Sequence, residues 1–202
     1  MRLIEEMFTK ENVEKAIRKV KSNKGAPGID KMNVSEIDSY FKENGREIIN
    51  SIMQMKYKPM PVRRVYIPKG NGKQRPLGIP AVVDRVIQQA IAQKLSGIYE
   101  PCFSEHSFGF RMGRSAHDAM ENVLDSLNEG YEWVIDMDIE KYFDTVNHDK
   151  LISKLRERVN EKEVLHLIRS FLRAGIMENG LIVLRRFILT KRSHIISTNS
   201  TL

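Results

Sequence analysis

Trp133-Val134-Ile135-Asp136-Met137-Asp138-Ile139-Glu140-Lys141-Tyr142-Phe143-Asp144 is the stretch on which the reading of this chain turns. Apolar and polar residues alternate up to Ile139, which is the period of a strand. The strand ends by presenting carboxylates, then an aromatic pair, then another carboxylate. A carboxylate at a strand end can hold Mg²⁺ firmly while leaving coordination positions open to phosphate oxygens. Acidic strand ends are common, so this stretch takes its meaning from the segments around it.

The net charge of +7 arises from 33 Lys and Arg against 26 Asp and Glu in 202 residues. A basic balance permits nucleic-acid binding without requiring it, and the distribution says more. No acid occurs between Glu47 and Asp84, yet Lys56, Lys58, Arg63, Arg64, Lys69, Lys73 and Arg75 all lie there. That run coincides with a Gly- and Pro-punctuated hairpin, which favours a surface for a polyanion over an ordinary solvated face. Hydrophobic residues make up 41% of the chain, enough for a folded core. Cys102 is the only cysteine, which excludes a disulfide framework and a cysteine-rich zinc site. The start lacks a signal-peptide pattern, and no apolar run approaches the ~20 residues that span a bilayer. The expectation is a soluble cytoplasmic protein with no membrane partner.

Val13, Ile17 and Val20 recur at helical spacing, and Gly25 can stop that helix. The turn-rich Asn23-Lys24-Gly25-Ala26-Pro27-Gly28-Ile29-Asp30 follows. Ser35 with Asp38 is a candidate capping box for a helix carrying Ile37, Tyr40 and Phe41, and a second helix carries Ile48, Ile49, Ile52 and Met53. Arg63 to Pro68 and Gln74 to Pro80 read as two strands joined through Asn71-Gly72, a hairpin turn signal, and their prolines place them at a sheet edge. Asp84 is a candidate cap for a helix with Val86, Ile87, Ala90, Ile91 and Leu95. Further helices are expected over Ser115–Leu127, His148–Arg158, with Leu151, Ile152 and Leu155 buried, and Lys162–Leu172. The end from Ile182 is acid-free and basic, has no amphipathic period, and is expected to be irregular.

Five blocks then stand in a recognisable order: residues 23–30; Arg64 through Pro80; Asp84-Arg85-Val86-Ile87-Gln88-Gln89-Ala90; Ser107-Phe108-Gly109-Phe110-Arg111 with Gly113-Arg114-Ser115; and Asp138-Ile139 with Tyr142-Phe143-Asp144. In these blocks the chain resembles the N-terminal part of a bacterial group II intron reverse transcriptase, or maturase, over roughly residues 1–181. Met112 stands where that family usually has proline. The resemblance implies an α+β fold, a right-hand polymerase with helix-rich fingers, a β-hairpin fingertip and a palm strand. It implies fingers over residues 1–114, a partial palm over 115–181, and an atypical basic tail over 182–202 that reads as truncated or frame-shifted. Such proteins continue with a Tyr-x-Asp-Asp turn supplying two more catalytic carboxylates. No carboxylate side chain follows Glu178 here.

The resemblance also implies roles for single residues. Asp138 would be the first metal-binding, catalytic aspartate, and the Ile139 carbonyl would help hold a second Mg²⁺. The chemistry would be two-metal addition of dNTPs to a DNA primer on an RNA template. Asp136 shares the Asp138 face but is a supporting or solvated acid, and Asp144 is structural. Lys69 and Arg75 match fingertip residues that hold the incoming dNTP, with Lys73 nearer the tip. Phe143 would sit beneath the incoming sugar as a gate against a 2′-hydroxyl. Asn23, Lys24, Arg63, Arg64, Arg111 and Arg114 would contact the template or intron RNA, mostly through phosphate charge. The uncovered face of a partial palm would favour self-association. With one of three catalytic carboxylates, the chain alone would hold Mg²⁺ weakly or not at all and would be inactive.

Four other readings stand beside this one. Gly70-x-Gly72-Lys73 lacks the spacing and Ser/Thr of a phosphate-binding Walker loop. Glu163-x-x-His166 is half of a di-iron motif without its second copy, so His166 is expected on a helix surface. Retron or diversity-generating reverse transcriptases are close variants of the polymerase reading. The rival from another class is a non-catalytic intron-RNA-binding module.

Overall fold

A computed structural model describes residues 1–68, 72, 74–139, 142–178 and 180–183, with the backbone alone at Phe143, Asp144 and Val183. Lys69, Lys73, the Phe143 side chain and most of the basic tail therefore lie outside the described residues.

Three N-terminal helices follow from the apolar spacing: α1 (Leu3–Met7), α2 (Lys10–Ser22) and α3 (Ile37–Met53). Thr9 caps α2 by accepting from the Asn12 backbone N–H, which satisfies one of the free donors of the first turn. The α2 residues Val13, Ala16, Ile17 and Val20 are buried, as the spacing requires. The two helices expected between Ile37 and Met53 are one continuous helix. Its N-cap is Glu36, whose side chain makes no capping bond to the first turn, so the Ser35–Asp38 capping box does not form. Asp38 instead pairs with Lys21 of α2 and ties the two helices together.

β1 (Val62–Pro68) and β2 (Gln74–Ile79) form the expected antiparallel hairpin, with Arg63 opposite Ile79 and Pro68 opposite Gln74. Gly72, in the turn, has φ +70°, a conformation that favours glycine. β2 is an edge strand of a four-stranded sheet in the order β2-β1-β3-β4, which is where Pro76 can omit its N–H without loss. β3 (Ile176–Glu178) runs parallel to the start of β1 and pairs antiparallel with β4 (Leu181–Val183). Ile182 and Val183, expected to be irregular, thus belong to a strand.

α4 (Val82–Tyr99) follows the hairpin and is the centre of the molecule. Val82, Val86, Ile87 and Ala90 are almost fully buried against Ile4, Met7, Ala16, Ile37 and Ile52. α7 (His148–Arg156) and α8 (Lys162–Arg173) close this core, with Val159, Val164 and Leu167 inside it. Ile152 of α7 is buried, while Leu151 and Leu155 are only half-buried. His166 is exposed on α8, as expected of a surface residue.

α5 (Ala116–Asn128) begins at Ser115, which accepts from the Asp118 N–H while Asp118 accepts from the Ser115 N–H. α5 buries none of its residues. The stretch after it departs from expectation. Residues 133–139 form no strand, and Trp133, Ile135, Met137 and Ile139 stand exposed. The alternation is present in the sequence, but a strand also needs a neighbour to take its N–H and C=O groups, and none of the described strands lies beside it. The α+β class stands, with its sheet built from the hairpin and β3–β4 rather than from this stretch. The aromatic pair begins the short helix α6 (Tyr142–Thr145).

Candidate nucleic-acid and nucleotide site

The hairpin is held at its root by a buried polar junction. Asp84 does not cap α4 as expected: Ala81 is the N-cap and Asp84 lies inside the first turn, 1% exposed. Its carboxylate accepts from the Tyr57 hydroxyl at 2.7 Å and from the Met60 backbone N–H at 2.9 Å. These bonds fix the segment that leads from α3 into β1. Burial pushes the Asp84 carboxyl above the usual aspartate range, while Tyr57 and the Met60 N–H oppose the shift. Burial and the Asp84 charge together push the Tyr57 phenol up.

The adjacent Arg85 clamps the 23–30 loop to the same root. Its guanidinium donates to the Pro80 carbonyl at 3.1 Å and to the Ala26 carbonyl at 2.5 Å. Gly28 packs so closely on α4 that a Cβ would lie 2.7 Å from the Ala81 backbone, which explains the glycine at this point. Burial lowers the Arg85 pKa, with Asp30 opposing. One Asp30 carboxylate oxygen is buried and finds no hydrogen-bond partner among the described residues.

The predicted site residues fall into distinct environments. Arg75 is exposed on β2, opposite Ile67. Arg63 is exposed and donates to the Pro27 carbonyl at 3.4 Å. Arg64, half-buried, lies 3.8 Å from Glu178 of β3, which also accepts from Tyr66. That hydrogen bond raises the Tyr66 pKa. Asn23 and Lys24 are exposed at the end of α2. Arg114 lies over the Phe108 ring at 5.6 Å.

Arg111 is otherwise employed. It donates to Glu100 at 2.9 Å and to the Ser104 and Ser107 carbonyls at 2.6 and 2.8 Å, and it covers the Phe103 ring at 5.3 Å. It holds the 100–112 loop in shape, so any contact with nucleic acid through this guanidinium has to compete with those bonds.

Asp136 and Asp138 are exposed on the unpaired stretch. No three His, Cys, Asp or Glu side chains converge to hold a metal among the described residues. The described residues by themselves therefore do not assemble the carboxylates of a two-ion Mg²⁺ centre. Sequence reasoning missed the Asp84–Tyr57 junction and the Arg85 clamp. Both join residues far apart in the chain, and the only local signal was a charged pair opening an apolar helix.

A family model described as reverse transcriptase (RNA-dependent DNA polymerase) matches residues 67–193, from the end of β1 onward. The chain belongs to the reverse transcriptase family. Protein YkfC of Escherichia coli K12 is 37% identical over 186 residues, covering 89% of this chain and 49% of that protein. The group II intron-encoded protein LtrA of Lactococcus lactis subsp. cremoris is 38% identical over 165 residues, covering 81% of this chain and 27% of LtrA. This chain thus spans about half of YkfC and about a quarter of LtrA. A chain of a solved partial Cas6-RT-Cas1–Cas2 complex is matched over 91% of this chain and 30% of its own length, with a TM-score of 0.58 and 18% identity, which is a likeness of fold. Members of the family generally use divalent metal ions. Among the described residues no helix is long and apolar enough to cross a membrane.

Proposed function

We propose that this chain forms the fingers, over residues 1–114, and the leading part of the palm, over 115–181, of a group II intron-type RNA-directed DNA polymerase. The observation that carries the reading is the basic β1–β2 hairpin, rooted on α4 by Asp84 and Arg85 while β2 has no outer strand neighbour among the described residues. A stiff root with a free basic edge suits a grip on phosphate. The charge-assisted donors Lys69 and Arg75 neutralise the incoming triphosphate, and Lys73 with Arg63 and Arg64 faces the RNA backbone. Arg85 and Gly28 keep the 23–30 loop, with Asn23 and Lys24, against the same root. In the complete polymerase Asp138 and the Ile139 carbonyl contribute to the metal centre and Phe143 lies under the incoming sugar. The partners in this reading are the RNA template, intron RNA, the DNA primer and dNTP.

The test is steady-state primer extension by a protein in which these residues are joined to a palm carrying a Tyr-x-Asp-Asp turn. Lys69→Ala and Arg75→Ala should each raise the KM for dNTP by about tenfold or more, the weight of one charge-assisted phosphate bond. An unchanged dNTP dependence in both would remove the fingertip from this role.

One observation favours a second reading, a non-catalytic RNA-binding module: Asp138 stands exposed on a stretch without strand partners among the described residues. RNA binding without Asp138-dependent extension, even when a complete palm is supplied, would select that reading.

A further inference from the structure

Four carboxylates lie between His148 and Glu163, and each is already engaged. Glu157 holds Lys154 at 2.8 Å. Glu161 accepts from the Leu3 and Ile4 backbone N–H groups at 2.6 and 3.0 Å, which fixes the start of α1. Glu163 pairs with Arg2 at 3.2 Å, and Asp149 pairs with Arg169 of α8 at 2.8 Å. The acids at the α7–α8 corner are thus taken up by α1, by its flanking Arg2 and by two cations of their own helices. Arg156 and Lys162 are left exposed, with no ion pair among the described residues.

These two side chains line the same cavity, of about 550 Å³, which lies between the end of α3, α7 and the first turns of α8. His166 and Arg169 line it too. With Lys162 they stand at i, i+4 and i+7, so the three share one face of α8 over about 10 Å of rise. Ile152 and Leu165 are buried and give the cavity an apolar floor. Met55, just past α3, completes the lining. It has φ +55°, a backbone conformation that side chains disfavour, and its side chain is partly exposed. The turn that imposes this is held by the Met55 N–H donating to the Ile52 carbonyl at 2.9 Å and the Lys56 N–H to the Ser51 carbonyl at 2.8 Å. A thioether is therefore kept beside an apolar floor with uncompensated cations around it.

We infer that this cavity binds a nucleotide, a nucleoside di- or triphosphate, with its phosphates on Arg156 and Lys162 and its base against Met55, Ile152 and Leu165. The inference goes beyond the function proposed above and does not rest on it, since no residue of the cavity belongs to the fingertip hairpin. The volume is that of a site for one small molecule. Guanidinium and ammonium groups without acidic partners form charge-assisted bonds to phosphate oxygens, and the His166 ring offers a further N–H. The Met55 sulfur makes favourable contacts with aromatic rings. A bare phosphate chain would leave the apolar floor unused, and an apolar ligand would leave the cations unused. Met55 stands just before Tyr57, whose hydroxyl donates to Asp84 at the hairpin root, so an occupant bears on the segment that carries the fingertip.

The test is isothermal titration calorimetry on the full chain carrying Lys69→Ala and Arg75→Ala, which removes the triphosphate contacts proposed for the fingertip. The probes are ATP, inorganic tripolyphosphate and a short unstructured RNA. ATP should bind at one site per chain. Adding Arg156→Ala with Lys162→Ala should weaken it about tenfold or more, the weight of charge-assisted phosphate bonds. Met55→Ala should weaken ATP several-fold and leave tripolyphosphate unchanged. Arg156, Lys162 and Met55 are exposed, and circular dichroism will show whether each variant keeps its helices. ATP binding that is absent, or that survives the loss of Arg156 and Lys162, would overturn the inference. Tripolyphosphate bound as tightly as ATP, with Met55→Ala indifferent, would overturn it as well and mark a bare anion site. So would RNA held through Arg156 and Lys162 that ATP fails to displace. ATP bound here by a chain whose fingertip variants leave primer extension untouched would sink the proposed fingertip role and support this site.

Discussion

Asp84 shows what a single residue does in this fold. It is a buried carboxylate whose two acceptor bonds join α4 to the approach of the fingertip hairpin. Asp84→Ala strands the Tyr57 hydroxyl and the Met60 N–H, and should cost about 2–3 kcal/mol in urea unfolding. The pH dependence has a definite sign. The folded pKa is raised, so the contribution of this group is fully present below the ordinary aspartate range and is lost as pH rises through the raised value. The stability of Asp84→Asn relative to wild type should therefore improve as pH rises across that window; a constant difference would contradict the assigned shift. Sequence alone located Asp84 but not its bonds, because its partners lie 27 and 24 residues upstream, beyond any local pattern. Arg111 was legible as a cation in a recognisable block, but its bonds to Glu100 and the loop carbonyls depend on a loop path that no periodicity encodes. At Phe143 the reading stays with the resemblance. In a complete polymerase, Phe143→Ala should lower the ratio of dNTP to rNTP incorporation, and an unchanged ratio with good activity would end the gate assignment.

The hairpin was the most legible element, because Asn71-Gly72 is a turn signal in the sequence and the prolines argue against a central strand. β3 and β4 were not foreseen. Three residues each are too few to show a period, although Asn179-Gly180 between two apolar runs carries the same turn signal as the fingertip. The stretch 133–139 is the opposite case, in which the period was present and the strand was not. Alternation tells which face a strand would bury but cannot supply the neighbour that completes its hydrogen bonds. For the hairpin itself, replacing Lys69, Lys73 and Arg75 together by alanine should weaken binding to unrelated RNAs alike and flatten the salt dependence by about two log units per log unit of salt. A filter-binding titration in which the loss depends on RNA sequence, or is absent, would contradict a phosphate grip.

Across the whole molecule, burial is uneven. The helical core around α4 is closed, while Met120, Val123, Leu124 and Leu127 of α5 and the apolar residues of 133–139 face water. Exposed apolar residues in these numbers are expected to bring two copies together, as anticipated for an uncovered palm. Sedimentation of the 202-residue chain should show concentration-dependent association, relieved by Leu124→Gln with Leu127→Gln; a monomer at all concentrations would exclude it. The fold class and the family were readable because five motif blocks keep their order, whereas the state of residues 133–139 depends on strand neighbours, and none of the described strands pairs with them. The central claim, that these residues are the fingers and leading palm of an RNA-directed DNA polymerase, is tested most directly by extension of a DNA primer on an RNA template. The comparison is between the 202-residue chain and the same residues joined to a palm with a Tyr-x-Asp-Asp turn, each with and without Asp138→Asn. The account predicts extension only by the joined protein, reduced at least a thousandfold (~4 kcal/mol in the barrier) by Asp138→Asn. Extension by the joined protein that Asp138→Asn leaves intact would contradict it.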